Sequence, residues 1–139
     1  MPANTNPIFT LTPAVDWGAT PVLTANTNKD GTGSNQITVF TAGANGSFVQ
    51  RLRLKAAGST TSATVIRIFI NNGSTISTAA NNILFDEISV PAITLTETAA
   101  TAVFEVPLNF AIQAGYVIFV TTGTTITNGL FVSVVGGDY

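Results

Sequence analysis

The sequence predicts an all-β protein, an antiparallel β-sandwich of jelly-roll-like type with eight or nine strands. Three observations predict it. Apolar and polar residues alternate with period two along most of the chain, the pattern of half-buried strands. Dipeptides that accept positive φ at low cost punctuate those runs: Asp30-Gly31, Asn45-Gly46, Asn72-Gly73 and Asn128-Gly129. No stretch carries a helical period. The Ala/Thr-rich residues 76–82 and 97–103 hold one turn of helix at most.

Taken in order, the first 20 residues stand apart. Pro2, Pro7, Pro13 and Pro21 hold four of the six prolines, and proline excludes helix and central-strand pairing. Residues 1–20 are therefore expected as an extended arm with one aromatic anchor, Trp17, although a short strand at Ile8–Thr12 also fits the alternation. Residues 21–139 are expected as one sandwich domain. Its strands are expected at Pro21–Ala25, Gln36–Thr41, Ser47–Ala57, Ala63–Asn71, Ile83–Val90, Ala102–Phe110, Tyr116–Thr122 and Thr127–Val135. Asn45-Gly46-Ser47 and Asn72-Gly73-Ser74 match glycosylation sequons, but with no secretion signal visible they read as hairpin turns.

Composition narrows function. The chain has no His and no Cys, and charged residues make up 9% of it. It lacks an imidazole base, a thiolate nucleophile and the N/S ligands of zinc or copper. Enzymatic activity is not expected, and neither is a cofactor or a metal. A net charge of −2 argues against a nucleic-acid partner, which needs a basic face to displace counterions. The apolar runs fall far short of the roughly 20 residues of a membrane span, and no membrane partner is expected. High apolar content with so few charges points instead to burial against copies of the chain or a larger assembly.

Few side chains remain as candidates. In the run 47–57, strict alternation puts Gln50, Leu52 and Leu54 on one face and Arg51, Arg53 and Lys55 on the other. The basic stripe is either a dock for an acidic surface or a solvated guard on an edge strand. Arg67 lies between Val65 and Phe69 and needs a carboxylate to sit among them; Glu87 and Glu105 are the expected partners in a structural ion pair. Asp86 and Glu87 are adjacent and face opposite ways, so they do not form a glycosidase pair. Asn26-x-Asn28-x-Asp30-Gly31 imitates the start of a calcium loop, yet position twelve is Ile37 where a bidentate Glu is needed. A turn is expected there.

Several stretches, "DGTGSNQITVFTAGANGSFV", "RIFINNGS", "NNILFDEISVP", "PLNFAIQAGY" and "VVGGDY", resemble a family of small virion structural proteins of tailed phages and prophages. The resemblance covers most of residues 30–139 and carries no catalytic motif. It implies a β-protein on the virion, most closely a capsid decoration (cement) protein: a homotrimer that binds the major capsid protein on the capsid surface after assembly in the host cytoplasm. Trp17, Arg51, Arg53 and Lys55 are then the candidate partner contacts. A tail or baseplate component and a virion-surface carbohydrate-binding module are the alternatives. Trp17, Tyr116 and Tyr139 are the only Trp and Tyr residues, few for a lectin.

Overall fold

A computed structural model describes residues 9–139. It contains eight strands: β1 (Thr12–Trp17), β2 (Ile37–Thr41), β3 (Ser47–Ala56), β4 (Thr64–Asn71), β5 (Asn82–Val90), β6 (Val103–Ile112), β7 (Val117–Thr122) and β8 (Leu130–Asp138). The one helical element among the described residues is a 3-10 turn at Ala79–Asn81, inside the first Ala/Thr-rich segment. The strands form two four-stranded sheets, A in the order β1-β8-β3-β6 and B in the order β2-β7-β4-β5. All strand pairs are antiparallel. The pairs β1·β8, β2·β7, β3·β6 and β4·β5 nest one inside the next. They trace one long two-stranded ribbon folded over itself into a two-sheet sandwich.

Alternation builds the core. Leu52 and Leu54 of β3 and Val132 and Val134 of β8 point inward from sheet A. Ile66 and Ile68 of β4 and Ile118 and Val120 of β7 meet them from sheet B. Burying each such side chain is worth about 1.5–3 kcal/mol relative to leaving it exposed.

Several expectations are corrected. The extended arm does not hold for residues 12–17, which pair with β8 from Thr12↔Asp138 to Trp17↔Ser133. Pro13 is accommodated because β1 is an edge strand. The start of the expected arm, residues 1–8, lies outside the described residues. The expected strand Ile8–Thr12 gives way to one that begins at Thr12. Pro21–Ala25 is reduced to two isolated bridges, Val22↔Leu130 and Ala25↔Thr122, because the chain is crossing from sheet A to sheet B. Of the Asn-Gly turns, only Asn72-Gly73 opens a hairpin, β4 to β5. Asn45-Gly46 and Asn128-Gly129 turn corners between sheets, since β2 and β7 lie in B while β3 and β8 lie in A. At the second corner Asn128 and Gly129 have φ of 60° and 72°, so both residues use the left-handed region that these types tolerate.

The loop of residues 18–36 does more than cross over. Phe69 and Phe119 point away from the core, on the outer face of sheet B, yet both are fully buried. Their rings stack with centroids 5.0 Å apart and planes 8° from parallel. The loop lies on them: a Cβ at Gly31 would stand 2.9 Å from Phe119 Cζ and 3.1 Å from Phe69 Cδ1. Gly31, at φ 80°, is thus required both by its backbone and by the rings beneath it. Asn26 holds the loop in shape. Its amide donates to the carbonyls of Thr32 (2.9 Å) and Ser34 (2.7 Å), and its Oδ1 accepts from the Asn28 N–H.

Candidate functional site

Exposed apolar side chains occur on the outer face of sheet A and along β5, the edge strand of sheet B, where Ile83, Leu84 and Phe85 are exposed. β1 runs along the edge of sheet A with Ala14 turned inward onto the core and Val15 and Trp17 turned out. Trp17 is 71% exposed, Val15 58%. Phe9 and Leu11, which precede the strand, are also exposed, and so is Phe131 of β8 at 55%. The register sets these residues in rows. Val15 is opposite Val135, which is opposite Arg51 and then Pro107; Trp17 is opposite Ser133, then Arg53, then Glu105. Phe131 is opposite Lys55, then Val103. An apolar strip along β1 and the end of β8 therefore borders a charged strip along β3 and β6.

The free edge of β1 is blunted. Gly18 donates to the Val132 carbonyl, in register with Trp17↔Ser133. Alternation of the antiparallel ladder then turns the backbone groups of Trp17, Val15 and Pro13 toward the free side. Pro13 offers no N–H there, and Asp16 faces inward with half-buried burial. Both are devices that discourage a new strand from adding at an edge. The geometry favours docking onto the face over docking along the edge.

The basic residues are largely satisfied within the chain. Arg53 Nε lies 2.8 Å from Glu105 Oε1, and Arg51 Nε lies 3.8 Å from the same oxygen. Lys55 donates to the Thr101 carbonyl at 2.8 Å. The three share the outer face as alternation requires, but Gln50 does not share the inner face with Leu52 and Leu54. An irregularity between Val49 and Arg51 sets two residues of β3 against one of β8, and Gln50 is turned out into solvent. A bulge resets which side chains face the core.

Arg67 and Glu87 are paired across β4 and β5, Nε to Oε1 at 2.8 Å. The arginine side chain is only 11% exposed. Glu105 is not its partner. It lies on sheet A, on the opposite outer face, and pairs with Arg53. Glu87 and Glu105 thus stand on different sheets and form no carboxylate pair.

The Asn26–Gly31 segment is a turn held by its own side chains. Asp30 Oδ1 accepts from the Thr32 hydroxyl (2.7 Å) and the Thr32 N–H (3.0 Å), and the hydroxyl first, then the amide, lower its pKa. Among the described residues no three His, Cys, Asp or Glu side chains come together as a metal site. No helix of the described residues is long and apolar enough to cross a membrane.

Reading the sequence missed Val15, Leu11 and Phe131 as surface residues. The signal was present for β1: residues 9, 11, 13, 15 and 17 are Phe, Leu, Pro, Val and Trp, an unbroken apolar period of two. What was missing was the side on which that stripe falls. Comparison with family models, with curated proteins and with solved structures gives no match.

Proposed function

We propose that the chain is a capsid decoration (cement) protein of a tailed phage, which assembles as a homotrimer and binds the major capsid protein on the outside of the icosahedral shell. The observation that carries this reading is the apolar strip of Leu11, Val15, Trp17 and Phe131, exposed on a sandwich whose core is otherwise well filled. Exposed contiguous apolar surface marks a face that a partner covers. Composition supports it: 45% hydrophobic residues against 9% charged suit a chain that works in an assembly. The resemblance to virion proteins supplies the kind of assembly.

In this role each copy adds contacts that shell expansion or internal pressure must break, so binding the intact lattice stabilises it. A lattice presents many equivalent sites, and linked copies of a trimer bind with an affinity beyond that of one copy. The test is electron microscopy of virions carrying this chain, with the chain labelled by antibody. Label spread over the whole shell supports the reading. Label at one pole only assigns the chain to the tail and overturns it.

A further inference from the structure

The outer face of sheet B carries a second feature, separate from the apolar strip: an open depression of about 530 Å³ next to the loop that covers Phe69 and Phe119. Ala63, Val65 and Pro91 give it apolar walls; Arg67 and Ser89 bring polar groups. The guanidinium of Arg67 is fixed at two of its three nitrogens. Nε donates to Glu87 and Nη1 to the Asn26 carbonyl at 3.4 Å. Nη2 has no protein partner among the described residues, and it is not sealed from solvent.

Gly123 leaves that nitrogen open. Its φ lies outside the left-handed region, so the backbone there accepts any residue. A Cβ at this position would sit 3.5 Å from Nη1 and 3.6 Å from Nη2, in ordinary contact, and would crowd the approach to the guanidinium from that side. The chain thus holds an oriented pair of N–H donors, uncovered, beside an apolar wall.

We propose that this depression binds an acetamido sugar, the amide carbonyl accepting from Arg67 Nη2 and the methyl packing on Val65 and Pro91. The choice follows from charge. Glu87 already neutralises the arginine at 2.8 Å, so the free donors suit a neutral carbonyl better than a second carboxylate, which Glu87 would repel. An acetamido group places an acceptor directly beside a methyl, the pairing that the depression presents. The Ser89 hydroxyl, which has no protein partner among the described residues, faces the same space and suits a ring hydroxyl. The site lies on the sheet opposite the apolar strip and is independent of shell binding.

The experiment is amide NMR of the full chain titrated with N-acetylglucosamine, with glucose and N-acetylvaline amide as separate arms. N-acetylglucosamine is expected to shift the amides of Val65, Arg67, Ser89 and Gly123 while glucose leaves them unmoved. Gly123→Ala is expected to weaken binding about tenfold or more, the loss of one hydrogen bond to a charged donor, with an otherwise unchanged spectrum. Ser89→Ala serves as a second variant, on the exposed strand β5, and is expected to weaken binding less. No shifts with N-acetylglucosamine, equal shifts with glucose, or full binding by Gly123→Ala overturns the proposal. Shifts with N-acetylvaline amide alone would make the site a peptide groove and overturn it as well.

Discussion

Arg67 and Glu87 stand directly opposite one another on β4 and β5, with the guanidinium Nε 2.8 Å from the carboxylate. The two sides of this pair are unequal. The arginine is nearly buried while the glutamate side chain is 46% exposed. Glu87→Ala leaves a buried cation short of its partner and is expected to cost about 1–3 kcal/mol. Arg67→Met removes the buried charge and keeps the volume, so a smaller loss is expected. Urea denaturation of both variants checks the order. A greater loss for Arg67→Met would show that the Asn26 contact matters more than the ion pair.

Trp17 is the only tryptophan, and it lies on the face proposed to meet a partner. Its fluorescence therefore reports on that face alone. The isolated chain should emit at the long wavelength of a hydrated indole, and emission should move to shorter wavelength on self-association or shell binding. Val15→Asp should abolish that change while altering stability by no more than about 0.5 kcal/mol, as for an exposed position. Unchanged association of Val15→Asp, measured by light scattering, would place the interface elsewhere.

The triple change of Arg51, Arg53 and Lys55 to Gln is expected to leave shell attachment unaltered. Glu105 and the Thr101 carbonyl already occupy Arg53 and Lys55, Arg51 lies 3.8 Å from the same glutamate, and the side chains of the ion pairs are about half exposed. Such pairs are worth about 0–1 kcal/mol each, so the melting temperature should move little. A tenfold or greater loss of binding that mirrors the effect of added salt would identify the stripe as the dock.

The loop over Phe69 and Phe119 depends on one amide. Asn26→Asp keeps the shape of the side chain but replaces its donor with a second oxygen facing the carbonyls of Thr32 and Ser34. A loss of about 2 kcal/mol or more is expected from unpaired buried groups, with faster hydrogen exchange in residues 26–36 than in the core strands. Uniform exchange across the chain would show that the loop and the sandwich open as one unit.

Most strands were legible because period two is a local property. β2 to β7 start and end within two residues of where the alternation places them, and each run needs only its own side chains to show it. The need of Arg67 for a carboxylate was legible for a related reason, since an arginine between two apolar neighbours has to find one, but the choice of Glu87 over Glu105 was not: it rests on Glu105 lying on the other sheet. The position of Gln50 was not legible. It departs from the Leu52 face because β8 pairs with one residue where β3 supplies two, and that partner is some 80 positions away in the chain.

By itself the sequence determined that this chain makes strands, turns at Asn-Gly, and has no imidazole or thiol for catalysis. Tertiary structure alone decided which apolar residues are covered. Phe69 and Val15 look alike in sequence, each an apolar residue in an alternating run. A loop from elsewhere in the chain lies over Phe69 and nothing in the described residues lies over Val15. Alternation sorts side chains onto two faces; only the return of a distant segment settles which face meets water.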